Sequence, residues 1–232
     1  MPADAPVLRA PVPDQVFLGL CEDIVAGRYA PGEKLPTQRQ LAADLGASMA
    51  SVREAVTRLE QLRLVEVRHG DAMRVLDWRA HGGLDVMAHL LFRPDGFEPG
   101  VLAALMEARR SMLVEIARFA AERRGDEQAA RLRELADRIA EAGDAAAAQA
   151  IDFEFFAVLA EAASNLVFTL VMNSIREVYF ARAHLFAPML ADHAKLAPLY
   201  RQAARAVDNQ RPGPAARAVE ELARAQGEAL LP

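Results

Sequence analysis

Residues 44 to 70, DLGASMASVREAVTRLEQLRLVEVRHG, carry two amphipathic helical patterns split by a tight turn and followed by alternating apolar residues. Such short helices bury their faces only against each other and a third helix, which severely limits the folds open to the segment. Thr37 is placed to cap a first helix with Leu41, Ala42 and Leu45 on one face, and Gly46 supplies the permissive backbone that stops it. Ser48 or Ser51 caps a second helix whose apolar side is Val52, Ala55, Val56 and Leu59. The third helix is offered by residues 14 to 27, with Val16, Leu20, Ile24 and Val25 at helical spacing. Behind them, residues 64 to 67 and 73 to 76 alternate like strands around a hairpin tip at His69, Gly70 and Asp71. The expectation is a winged helix-turn-helix over residues 14 to 77. In such a unit the N-terminal end of the second helix meets bases and phosphates, here Ser48, Met49, Ser51 and Arg53.

The stretch GRYAPGEKLPTQRQLAADLG followed by SVREAVTRLEQLRLVEVRHG, within residues 16 to 76, resembles the DNA-binding domain of the GntR family of bacterial transcription regulators. The resemblance implies that Arg39, Arg53, His69 and Gly70 contact DNA, with Ser48 and Ser51 as phosphate partners. Taken singly, Arg39 and Arg53 would read as solvated helix surface; the matched context points to DNA instead. Two residues depart from the family. Met49 stands where relatives carry the Arg that reads guanine through its O6 and N7 acceptors, and a thioether cannot make that bidentate bond. Asp71 places an acid in the wing, where it repels phosphate.

Charge alone does not announce a nucleic-acid binder. The net charge is −5, and between residues 28 and 74 eight basic residues face six acidic ones, leaving +2. Because phosphate contacts dominate affinity, so weakly basic a head implies modest non-specific binding and reliance on a dimer set on an inverted repeat of double-stranded DNA. Cys21 is the only cysteine, which precludes an internal disulfide and suits a reducing, cytoplasmic setting. No apolar run approaches the ~20 residues of a membrane span, and residues 1 to 13 read as a loose Pro/Ala arm.

Beyond a linker at residues 78 to 83, residues 84 to 232 are helical in texture. Segments at 84 to 92, 99 to 124, 126 to 142, 144 to 163, 166 to 187, 189 to 209 and 213 to 230 predict an antiparallel bundle of about seven helices. The fold class is mainly α. The landmarks GLDVMAHL, EARRSMLVEIARFAAER, DFEFFAVLAEAASN and NSIREVYFARAHLF make this bundle similar to the effector-binding and dimerisation domain of the FadR-like branch of the same family.

That resemblance separates two kinds of relative. One carries an Asp and three His residues that hold a divalent metal. Asp152 matches the Asp, but the His positions fall at Phe156, Tyr200 and Leu222, so no metal and no other cofactor is expected. The other kind binds acyl-CoA and has likewise lost the metal ligands. It implies a small-molecule effector, an acyl-CoA or another apolar carboxylate, bound among Arg109, Leu113, Asp152, Phe153, Phe156, Met172, Ile175, Tyr179, Tyr200 and Gly227. Leu230 stands where that branch has Trp. Arg109 has two readings, a ligand anchor or an internal salt bridge to Asp152 or Glu107; the Phe and Met residues, taken singly, read as core filling.

No Ser-His-Asp order, phosphate loop or pair of catalytic carboxylates occurs at usable spacing, so an enzyme is not expected. The alternative to a ligand-controlled regulator is a helical-bundle protein with weakened DNA binding that acts through protein partners, and Met49 and Asp71 motivate it.

Overall fold

Helix α1 (Val12–Val25) opens the described structure and turns Val16, Phe17, Leu20, Cys21 and Ile24 inward, the single stripe its spacing dictates. The computed structural model describes residues 12–67, 73–93 and 96–231, in two units, Met1–Pro94 and Asp95–Pro232.

In the first unit α1 packs on α3 (Met49–Gln61), which buries Val52, Ala55, Val56 and Leu59, while α2 (Gln38–Asp44) contributes Leu41. Thr37 caps α2 in a reciprocal capping box with Gln40. Gly46 takes φ +58° in the turn between α2 and α3, a left-handed conformation that strains any residue with a Cβ. Behind α3, β1 (Val65–Glu66) and β2 (Arg74–Val75) pair antiparallel with Val65 opposite Val75 and Glu66 opposite Arg74. Lys34 bridges to Arg74, so the segment before α2 joins the ribbon. The wing strands are thus shorter than the alternation predicts, but they lie inside the expected segments.

The segment after the ribbon is not extended. Asp77 caps a single helical turn, α4 (Trp78–His81), by accepting from Arg79 N at 3.0 Å. Then α5 (Leu84–Leu91) packs on α1: Val86 belongs to the same core as Phe17 and Leu59, and His89 meets the Phe17 ring edge-on at 5.0 Å. The sequence pattern assigns this helix to the bundle. The structure places it with the head, because Val86 and Leu90 complete the apolar face that α1 leaves uncovered by α3.

The second unit holds the long helices α6 (Pro99–Arg123), α7 (Asp126–Arg138), α8 (Ala145–Ala162) and α9 (Leu166–Ala181). A short α10 (Ala183–Phe186) leads through a 3-10 turn, Ala187–Leu190, to α11 (His193–Asp208) and α12 (Pro212–Glu228). α12 lies between α6 and α11, and α8 packs on α6, α7 and α9. The predicted helix at 166 to 187 is broken at Arg182, whose φ −129° and ψ 33° leave the helical region. Two features hold that break. Gln149 Nε2 donates to Ala183 O at 2.9 Å, and Pro188 cannot extend an α-helical ladder through its missing N–H. His193 is half-buried and places its two ring nitrogens 3.1 Å from Leu190 O and Ala142 O, tying the break to the segment that follows α7. Among the described residues no helix is long and apolar enough to cross a membrane.

Candidate functional site

The head presents the start of α3. Ser48 is its N-cap: Ser48 Oγ accepts from Ser51 N at 3.1 Å and shares a hydrogen bond of 2.9 Å with Ser51 Oγ. Ser51 is buried. Its hydroxyl therefore serves the cap, and the exposed group left for a phosphate is Ser48. Met49 follows at the first helical position and is 43% exposed, a thioether on the surface. Arg53 and Arg39 are exposed on α3 and α2, and neither makes an ion pair among the described residues. Arg58 behaves differently. It donates to Asp14 Oδ1 at 2.5 Å and lies 4.0 Å over the Phe17 ring, joining α3 to α1 as a structural clamp. His69, Gly70 and Asp71 lie outside the described residues.

In the bundle, the interior polar cluster is built from four helices. Asp152 on α8 is buried and accepts from the Tyr200 hydroxyl of α11 and from Gln226 Nε2 of α12, the latter at 2.8 Å. Gln226 Nε2 also donates to the Tyr200 oxygen at 2.9 Å, and its Oε1 accepts from Arg109 Nη2 of α6 at 2.8 Å. The internal salt bridge that the sequence offers for Arg109 is not formed: among the described residues it makes no direct ion pair with Asp152 or Glu107, and a neutral amide stands between the two charges. The Arg109 guanidinium lies 5.2 Å from the centroid of the Phe156 ring.

Burial raises the Asp152 carboxyl above its ordinary value, while Arg109 and the hydrogen bonds from Tyr200 and Gln226 pull the other way. Tyr200 is pushed well up, first by burial and then by the adjacent Asp152 charge, so its phenol stays protonated and donates. Next to this cluster is an aromatic layer. Phe153 stacks on Tyr179 with centroids 5.9 Å apart and meets Phe180 edge-on at 5.2 Å, while Arg176 lies 4.8 Å over Phe153. Tyr179 is also raised, by burial and by Asp152, and Gln149 Nε2 reaches its hydroxyl at 3.4 Å.

The structure thus joins Arg109, Asp152, Phe156 and Tyr200 in one cluster, with Phe153 and Tyr179 in the adjoining layer. Leu113 and Met172 are buried in the same bundle. Gly227 faces elsewhere: a Cβ there would stand 3.7 Å from Met106 Cβ, an ordinary packing contact on α6. Leu222 is a fully buried apolar residue, and the residue of the last helix that meets Asp152 is Gln226, one turn further on. Sequence reading missed Gln226 and Gln149. Both carry a visible signal, a polar side chain on the buried stripe of its helix: Ala215, Val219, Leu222 and Gln226 share one face of α12, and Gln149 sits three residues before Asp152 on α8.

The donor set does not suit the metal held by part of the family. A carboxylate, a phenol and an amide already hydrogen-bond one another around Asp152, and among the described residues no imidazole joins them. Among the described residues no group of three His, Cys, Asp or Glu side chains converges.

Comparison with known proteins gives the lineage. Residues 13–75 match the family model for bacterial regulatory proteins of the gntR family, and residues 104–225 match the FCD domain. The HTH-type transcriptional regulator Mce2R of Mycobacterium tuberculosis is 35% identical over 217 residues, covering 94% of this chain and 90% of that protein. A fatty acid metabolism regulator protein of Escherichia fergusonii is 26% identical, covering 80% and 79%. The solved structure of Lar, which controls expression of the Listeria monocytogenes agr system, shares the fold with a TM-score of 0.55 at 16% identity, covering 96% and 97%. The chain belongs to the gntR family of bacterial regulatory proteins, as a DNA-binding transcription regulator whose winged head is followed by an FCD effector-binding domain.

Proposed function

We propose that the FCD bundle takes an apolar carboxylate or an acyl thioester at Arg109, and that its binding alters the affinity of a homodimer for an inverted-repeat operator. The observation that carries this reading is Arg109 itself. Its guanidinium is half-buried yet is held by the neutral Gln226 amide at 2.8 Å, so its charge is not cancelled by a direct carboxylate partner. A ligand carboxylate or phosphate pairs bidentately with such a group. The ring of Phe156 under Arg109, and the Phe153 and Tyr179 layer beside it, supply apolar contact for a hydrocarbon chain. The likeness to proteins named fatty acid metabolism regulators supports the acyl class.

In the head, Arg39, Ser48, Met49, Arg53 and the wing pair His69-Gly70 form the DNA-facing set, with Ser51 acting through the cap of α3. Effector binding shifts the operator equilibrium only by its differential affinity for the two arrangements of the heads.

Genomic DNA selection with the purified protein supplies the operator, and fluorescence anisotropy on it, with and without a panel of acyl-CoA thioesters and free fatty acids, tests the control. The expected result is a ligand-dependent change in DNA affinity that Arg109→Ala removes. Unchanged affinity across the panel refutes ligand control by this class. Failure to enrich any sequence favours instead a bundle acting through protein partners, the reading that the exposed Met49 motivates.

A further inference from the structure

Arginines are placed unevenly in the bundle. Of the fifteen between residues 96 and 231, eleven donate to, pair with or stack on a neighbour. The other four, Arg110, Arg205, Arg211 and Arg217, have no such partner among the described residues. Three of those four line one groove between α11 and α12, of about 430 Å³, with Ala206 and Ala218 in its lining and Glu221 also present. Arg217 does not turn to Glu221 one helical turn away. Its Nη1 instead lies back over Gly213, 3.5 Å from where a Cβ would stand, at the same end of the groove as Arg211. Gathering three unpaired cations beside a single carboxylate, Glu221, leaves a local positive field that an anion relieves.

We propose that this groove is a second binding site, independent of the Asp152 cluster, for a small molecule bearing a diphosphate, held by Arg205, Arg211 and Arg217. The class follows from the donors. Each guanidinium presents a planar fork that takes two oxygens, so three of them exceed what one carboxylate offers and match two linked phosphates. The end of α12 does not supply recognition, because Pro212 and Pro214 remove amide donors from its first turn. Glu221 repels a second anion at its end of the groove and accepts from a hydroxyl or amine, so the ligand is charged at one end and a neutral donor at the other. A groove of this volume suits a mononucleotide-sized molecule. Duplex DNA and a helical protein segment both need a longer track.

The test is calorimetric titration of the full chain with inorganic pyrophosphate, ADP and adenosine at low ionic strength, checked by circular dichroism for folding. Pyrophosphate and ADP bind and adenosine does not. The exposed substitutions R205A, R211A and R217A together weaken both by about tenfold or more, whereas R110A, the unpartnered arginine outside the groove, leaves them unchanged. Should the triple variant unfold, R211A alone, which lies ahead of α12, carries the comparison and is expected to weaken both ligands. Absence of pyrophosphate and ADP binding, or equal binding by the arginine variants, overturns the proposal. So does a Glu-rich peptide that binds in an arginine-dependent way where pyrophosphate does not; that result assigns the groove to a protein partner.

Discussion

The Tyr200 hydroxyl donates to Asp152 Oδ1, linking α11 to α8 by a hydrogen bond between two buried side chains. Around it a carboxylate is held in the bundle without a directly paired cation. Its solvation is replaced by a phenol and an amide, and its charge is compensated through Gln226 by Arg109. Buried networks of this kind are costly when incomplete, which makes them testable.

Tyr200→Phe removes one donor and leaves the carboxylate short of a partner, an expected loss of roughly 1–3 kcal/mol in chemical denaturation. Asp152→Asn keeps an oxygen for Tyr200 and Gln226 while removing the charge. Since burial raises the Asp152 carboxyl in the folded state, that group favours folding most below its unfolded value and this contribution is lost as pH rises through the raised folded value. The Asn variant is therefore expected to gain stability relative to wild type between acid and neutral pH, seen in paired melts at pH 4 and pH 7.

Gln226→Glu places a second carboxylate beside Asp152, where Nε2 now donates at 2.8 Å. Two buried carboxylates cannot both ionise cheaply, so one is protonated and its folded value rises. The new carboxylate gains a direct Arg109 partner but loses the donor to Asp152, so the variant is expected to be destabilised at neutral pH, with the deficit shrinking on acidification. A deficit that does not change with pH would show that the introduced carboxylate turns away from Asp152.

The two arginines of α3 have separate roles. Arg53→Ala, on the exposed face, is expected to leave the melting temperature unchanged, weaken DNA binding across sequences and lower the salt slope by about one. Arg58→Ala breaks the Asp14 contact and the packing over Phe17, so it lowers the stability of the head by about 1 kcal/mol. Met49→Arg introduces the bidentate group that the family resemblance implies at this position and is expected to add ~1–3 kcal/mol of preference for guanine at one operator position. Selection on a randomised half-site reads it out.

Cys21 is buried in the head core, and its thiol is raised from 9.0 to about 11 by burial first and the Glu22 charge second. It is expected to resist iodoacetamide at pH 8 until the protein is unfolded, because the reactive thiolate is suppressed. A thiol whose folded value lies above its unfolded one contributes stability below pH 9 that is lost as pH rises towards 11. A melting temperature that falls over this interval, and falls less in Cys21→Ala, is the measurable consequence.

Much of the head was legible because its determinants are local. Thr37, Gly46 and Ser48 announce the helix ends, and Val52, Ala55, Val56 and Leu59 announce the buried stripe of α3. The role of Ser51 was less legible, since a serine three residues into a helix reads as a phosphate donor or a cap partner until the fold shows that it is buried. The bundle's helices were legible from period and breakers, but the break at Arg182 depends on Gln149, 33 residues earlier in the chain.

By itself the sequence determined the order of the main helices, the winged head, the bundle and the absence of histidine at Phe156, Tyr200 and Leu222, since each is written in residue types and their spacing. Only the tertiary structure decided that α5 packs with the head, that Arg58 is a clamp, and that Gln226 joins Arg109 to Asp152. The reason is physical. Period and capping act over a few residues along one helix, whereas a buried polar group must find its partner across the core, and which helix supplies that partner is settled only when the helices pack.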